Sequence, residues 1–387
     1  MKKKILITLG ILLILAIVGA WLYLFTYGKP ENVGDIFTRF GLGGDNPTPP
    51  MLVEGDGTVD VSDETDAGAP QKLKQLTVRP VGGATFTETG ILYVEEGTGH
   101  VYHIDLVTGE EKLLSGTTIP GARDAVFSPD GSYVAITATT GGVSETLVGF
   151  VDALAGKLTG VSLPPGAREV RFGNATNTIM YLLQGNTGSS GYSYNIEKGI
   201  GTEVFTIPLR DVRVLWGTPT YIYTTPSATS IGYLYKVVGK KLEYVHTGGA
   251  GLMGLSYEGG IVITTNKTDG VFSELQTLNG TSSDISLPLI PEKCVSVPSS
   301  AGIFYCGLPQ ELSSENFPDD WYKGVVSESD NLMSVDVESN EWLFHSDFLA
   351  ESGREIDISK IGTDEEGNRV YFINKNDNTL WMFDTTL

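Results

Sequence analysis

With 387 residues, 41% of them hydrophobic, the chain is long enough to enclose a large core, and 48 glycines against two cysteines point to a turn-rich β protein. Its formal net charge of −21 opposes binding to nucleic acid and to anionic lipid surfaces, because phosphates need cationic partners. The charge bears on solubility and partners, not on fold.

Lys2, Lys3 and Lys4 precede an uncharged, mostly apolar run from Ile5 to Phe25, and about 20 such residues cross a bilayer as a helix. Only a helix satisfies its own backbone groups in lipid, so residues 1–27 read as cytoplasmic lysines followed by one transmembrane helix. Positive flanks stay cytoplasmic, which predicts a single-pass cell-membrane protein with everything after Phe25 outside. Trp21, Tyr23, Phe25 and Tyr27 crowd the far end as an interfacial belt would. The competing reading is a cleaved secretory signal, with Val18 and Ala20 before a cut at Trp21. Both readings place the remainder beyond the membrane.

Residues 28–70 are rich in glycine, proline and acidic side chains, and bury too little apolar surface to offset ordering entropy. This predicts a flexible linker. Within it, Asp35–Gly44 carries Ile36, Phe37, Phe40 and Leu42, an apolar island that reads either as a short juxtamembrane helix or docking peptide, or as a transiently ordered part of the linker.

From residue 71 to 387, short runs of Val, Ile, Tyr, Phe and Thr alternate with Gly, Pro, Asn and Asp turns, the pattern of all-β repeat folds. Apolar pairs open successive units at Ala84/Phe86, Ala125/Phe127, Val170/Phe172, Val212/Val214, Met253/Leu255, Val295/Val297 and Ile356/Ile358. Their spacing of about forty residues is that of one four-stranded propeller blade. Unit two is the clearest: strand Arg123–Ser128, a Pro129-Asp130-Gly131 turn, strand Tyr133–Ala138, then outer strands Thr146–Asp152 and Lys157–Leu163.

The segment Asp124–Thr137 (DAVFSPDGSYVAIT) resembles the PD40, or TolB-type, WD40-like propeller repeat, whose Pro-Asp-Gly turn joins the first two strands. Asn174 and Gly367-Asn368 occupy comparable turns in units three and seven. The resemblance implies a fold and no particular activity.

The seventh unit ends after three strands (Glu355–Gly362, Arg369–Asn374, Thr379–Thr385), while Lys72–Val78 precedes the first unit as a surplus strand. An N-terminal strand completing the last blade removes the open sheet edges that invite aggregation. The prediction is therefore a seven-bladed β-propeller closed by Lys72–Val78 against Thr379–Thr385. Units four and five are weakly patterned, so the chain alone bounds the ring between six and eight blades. Cys294 and Cys306 fall on the first two strands of unit six across the Pro298–Gly302 turn, where antiparallel pairing brings them close enough for a disulfide. An exported domain is an oxidising setting for it, and the alternative is two free buried thiols. No further Cys or His is near enough for a zinc site.

Five first strands begin with a cation (Arg123, Arg168, Arg210, Lys293 and Arg354), four followed at once by an acid (Asp124, Glu169, Asp211 and Glu355). Adjacent strand residues point to opposite faces, so this top-face rim reads either as a ring of interblade salt bridges or as an anion-binding rim. The longest departure from the repeat is Gln310–Asn331, on the same face. It combines Phe317, Trp321 and Tyr322 with Asp319, Asp320 and other acids. Exposed aromatics on a long insertion mark a partner or ligand loop; the alternative is a plug over the central channel. Its carboxylates match no known calcium loop closely.

Catalysis has little support. His100, His103, His246 and His345 fall in outer parts of three blades, and neither a nucleophile elbow nor a phosphate-binding loop appears. No catalytic residue, cofactor or metal is assigned. The leading expectation is a membrane-anchored, extracytoplasmic binding or scaffold module for a protein or peptide partner in the envelope. The alternative is a cell-surface hydrolase, such as a glycosidase using top-face carboxylates.

Overall fold

Strands such as Gly90–Glu95, Gly260–Lys267 and Leu380–Asp384 are apolar and buried over most of their length, because each sheet packs both its faces against neighbours. The computed structural model describes residues 71–267 and 270–387. The proposed anchor Ile5–Phe25, the linker 28–70 and the island Asp35–Gly44 lie outside the described residues. Among the described residues no helix is long and apolar enough to cross a membrane.

Twenty-eight strands form seven four-stranded antiparallel sheets among the described residues. The innermost strands are Val81–Phe86, Ala122–Phe127, Arg168–Phe172, Val212–Leu215, Met253–Tyr257, Cys294–Val297 and Ile358–Thr363, for blades 1 to 7. Every predicted unit start lies on or beside one of these strands. In blade 2 the Pro-Asp-Gly turn joins Ala122–Phe127 to Tyr133–Thr140 as expected. Asp130 Oδ1 accepts from the Ser128 hydroxyl at 2.6 Å and from the Ser132 N–H at 3.1 Å. Gly131 takes φ +72°, a conformation that favours glycine.

Apolar clusters lie between sheets rather than inside one. Leu92, Val94 and Val101 of blade 1 pack with Ala125, Phe127 and Ile136 of blade 2. Equivalent clusters join the successive blades, and Val81, Ile91 and Tyr93 of blade 1 meet Ile373 and Leu380 of blade 7. That last cluster closes the ring. The fold is an all-β, seven-bladed β-propeller.

The seam is where the surplus strand was expected. Leu73–Gln75 pairs with Leu380–Asp384 as the outermost strand of blade 7, in the register Leu73↔Phe383, Lys74↔Met382 and Gln75↔Trp381. Flanking bonds from Leu76 N–H to the Leu380 carbonyl and from Asp384 N–H to the Lys72 carbonyl, each 2.8 Å, extend the pairing. Cys294 and Cys306 sit directly opposite each other in blade 6, 4.1 Å apart between Cα atoms, and form a disulfide.

Candidate functional site

The inner strands of all seven blades surround a cavity of about 600 Å³ on the propeller axis. Its ionisable lining comprises Asp124, Glu169 and Glu292 with Arg171, Arg213 and Lys360. Two ion pairs cross between blades here. Glu169 Oε1 accepts from Arg213 Nη1 at 3.0 Å, and the Lys360 ammonium contacts Asp124 and the Gly82 carbonyl. Burial disfavours ionisation of Asp124, but Lys360, with a contribution from Arg171, outweighs it and holds the carboxyl below its ordinary value.

Glu169 is placed by a local irregularity. Its φ is +53°, and the pairing register of blade 3 shifts between Arg168 and Arg171. A bulge of this kind bends a strand and re-aims a side chain. The Glu169 carbonyl also accepts from the Trp216 indole N–H, which ties blade 3 to blade 4.

Glu292 lies on a single 3-10 turn, Pro291–Lys293, that leads into the inner strand of blade 6. Burial raises its pKa above the glutamate range, although the Tyr322 hydroxyl donates to its Oε1 and Arg213 is near. Its Oε2 is buried and has no hydrogen-bond partner among the described residues. Burial, and then the Glu292 charge, raise the Tyr322 hydroxyl strongly, and Tyr223 is raised for the same two reasons.

The insertion after the second strand of blade 6 lies across this end of the channel. A short helix, Asp319–Tyr322, sends the Tyr322 ring to within 5.7 Å of the Arg213 guanidinium carbon. Phe317 and Trp321, expected as exposed contact area, are buried at 1% and 5% exposure against Met253 and Ile290. They anchor the loop instead, because its underside rests on apolar residues of blades 5 and 6. Asp319 accepts from the Ala228 N–H of blade 4, and the Asn266 amide of blade 5 donates to the Phe317 carbonyl. From blade 7, Lys375 Nζ donates to the carbonyls of Trp321 at 2.7 Å and Val326 at 3.2 Å. Asp320 Oδ2 accepts from the Ser314 hydroxyl at 2.6 Å, within the loop. Asp319 and Asp320 therefore serve the loop's own structure.

The expected rim of five cations does not form one ring. Lys293 is fully buried, bonded to Asp330 and Asp357, because these two carboxylates supply its counter-charge inside the protein. Arg168 donates to the Arg210 carbonyl at 2.7 Å, a bond between blades 3 and 4 but not an ion pair. Arg354 meets Asp377 at 3.5 Å within blade 7, and Arg123 and Arg210 have no carboxylate partner among the described residues. Interblade pairing thus runs through Lys293 to Asp357, and also through Lys360 and Arg213, two cations the sequence reading passed over. Alternation alone would put Glu169 and Arg171 on one face of an inner strand, but the bulge at Glu169 breaks that register. The four histidines remain on blades 1, 4 and 6, and among the described residues no group of three or more His, Cys, Asp or Glu is arranged to hold a metal ion.

No family model matches the chain, and no curated protein does. Solved structures do match. The chain is similar to the β-propeller domain of the trilobed protease from Pyrococcus furiosus, at 13% identity and a TM-score of 0.52, over 79% of this chain and 95% of that one. It is similar to an oligogalacturonate lyase in complex with manganese, at 10% identity and TM-score 0.56, over 81% and 93% of the two chains. The GH74 enzyme of Niastella koreensis matches at 13% identity and TM-score 0.54, over 81% of this chain but 53% of that one. At these identities the likeness is one of fold alone.

Proposed function

We propose that the protein is a membrane-anchored, extracytoplasmic binding module of the PD40/TolB-like kind. Ile5–Phe25 is its anchor with the N-terminus inside, residues 28–70 are its tether, and the face carrying the Gln310–Asn331 loop docks a protein or peptide partner in the envelope. The Pro129-Asp130-Gly131 turn supports the repeat assignment, and the apolar run behind three lysines supports the anchor.

One observation carries the binding reading: the insertion is fixed to blades 4, 5 and 7 through Asp319, Phe317 and Lys375 contacts. A loop held this way presents its outer side with little ordering cost on association. That outer side is the crest Glu311, Leu312, Glu315, Lys323 and Val325, all exposed, with Val325 at 68%. Crosslinking and pull-down from membranes, comparing the wild type with the Leu312→Asp/Val325→Asp variant, tests it. Loss of the crosslinked partner in the folded variant is expected. An unchanged set of partners would remove the loop as the docking surface.

A second reading rests on Glu292. A carboxyl whose pKa is raised by burial, beside Glu169 paired to Arg213, resembles the unequal acid pairs that hydrolases use, and a cell-surface hydrolase acting through the channel is the alternative function. Glu292→Gln would then abolish hydrolysis of a glycoside panel while leaving partner crosslinking intact.

A further inference from the structure

The channel contains polar groups that the ion pairs do not use. Asp124 with Lys360, and Glu169 with Arg213, neutralise each other. Arg171 is left as a cation without a carboxylate partner among the described residues; its hydrogen bond is from Nη1 to its neighbour's carbonyl, Val170, at 2.9 Å. Tyr223 lines the same cavity, is 4% exposed, and its hydroxyl makes no hydrogen bond among the described residues. Glu292 lines the cavity as well, although its unpartnered Oε2 is itself buried. Glu292, Arg213, Glu169 and Arg171 line the cavity together with Tyr223.

A polar group that lines a cavity without a protein partner is available to a ligand. The exposed guanidinium of Arg171 and the Tyr223 hydroxyl, both on the channel, have the makings of such contacts. On a chain of net charge −21, Arg171 is a local point of attraction for an anion. Guanidinium matches the planar fork of a carboxylate in particular. Glu169 and Glu292 nearby would penalise a second negative charge. Phe127, Phe172, Leu215 and Trp216 supply apolar wall for an organic body, within about 600 Å³.

We propose that the channel binds a small organic monocarboxylate, held by the free N–H groups of Arg171, with the Tyr223 hydroxyl completing its polar contacts. This site is separate from the loop crest and does not depend on the partner reading.

The test is isothermal titration of the full chain in detergent with gluconate, benzoate and phenylacetate, each against its neutral counterpart sorbitol, benzamide or phenylacetamide. At least one carboxylate is expected to bind saturably at one site, with its counterpart silent. Arg171→Gln is expected to weaken it by about tenfold or more, the effect of losing a charged hydrogen-bonded contact. Arg171→Lys, which keeps the charge and loses the fork, falls between, and Arg123→Gln on the exposed rim leaves affinity unchanged. The absence of binding by all three carboxylates, equal binding of a neutral counterpart, or equal affinity in folded Arg171→Gln overturns the proposal.

Discussion

Lys293 Nζ lies 2.6 Å from Asp357 Oδ1 and 2.7 Å from Asp330 Oδ2, with all three side chains wholly buried. The contact joins the start of blade 6 to blade 7. Asp357 also accepts from the Trp321 indole N–H at 2.9 Å and from the Glu328 N–H at 3.1 Å, so the same ion cluster pins the insertion. Lys293, read from the sequence as a rim cation, belongs to a buried network of this kind.

Removing Lys293 leaves two carboxylates buried beside each other, with Lys375, 3.6 Å from Asp357, as the remaining cation. Lys293→Met is expected to cost about 3–5 kcal/mol, the range for breaking one partner out of a buried ion pair. Urea unfolding checks this. Arg354→Ala, at an exposed pair, is expected to cost less than about 1 kcal/mol. Equal effects of the two would contradict a structural role for the cluster.

The cluster also carries a pH signature. Burial lifts Asp330 to about 6 in spite of Lys293, above the ordinary aspartate value of about 3.9. Between those values the folded state keeps a proton that the unfolded state has released, so this contribution favours the fold in acid and is lost as pH rises through about 6. Asp357 runs the other way: burial opposes its ionisation, but Lys293 outweighs it and lowers the pKa. Its contribution is present above the ordinary aspartate value and is lost as pH falls through the lowered one. Asp330→Asn lacks the first contribution and keeps the second. Its stability relative to wild type is expected to rise between about pH 5 and about pH 7. Urea melts across that interval decide it, and a constant difference would contradict the assignment.

What was legible in the sequence was local or periodic. The alternation around Ala125/Phe127 and the Pro-Asp-Gly turn define a strand pair without reference to the rest of the chain. Repetition of that unit, with a spare strand at Lys72–Val78, is enough to find the seam and to bound the ring between six and eight blades, the weak patterning of units four and five leaving the count open. The fate of Lys293 was not legible, because its partners lie 37 and 64 residues away. Phe317 and Trp321 were misread for a related reason. An aromatic in an acidic loop looks the same in sequence whether it faces a partner or its own scaffold, and only the apolar patch of Met253 and Ile290 beneath it decides. The channel charges were half legible: alternation alone would put Glu169 and Arg171 on one strand face, but the bulge at Glu169 breaks that register, and the pairing of Glu169 with Arg213 depends on it.

The Cys294–Cys306 bond closes a loop of sequence separation 12, for which chain entropy predicts about 3 kcal/mol of stabilisation. The Cys294→Ala/Cys306→Ala variant is expected to lose about that amount in urea unfolding. Reductant should bring the wild type down by a similar amount and leave the variant unmoved. A wild type insensitive to reductant after unfolding and refolding in it would show that the bond adds nothing to blade 6.

Ring closure rests on both a sheet edge and a core. Leu76 donates its N–H to the Leu380 carbonyl at 2.8 Å and packs beside the cluster that joins blades 7 and 1. Proline at this position removes the donor and the aliphatic side chain together. The lost bond alone is worth about 1 kcal/mol, or about fivefold in local opening. Leu76→Pro should therefore speed hydrogen exchange of the Leu380–Asp384 amides by at least that factor. The strands of blade 2, on the far side of blade 1 from the seam, should keep their protection. Uniform acceleration across the blades would show that the propeller opens as one cooperative unit, whereas unchanged exchange in Leu380–Asp384 would mean that the N-terminal strand contributes nothing to holding blade 7.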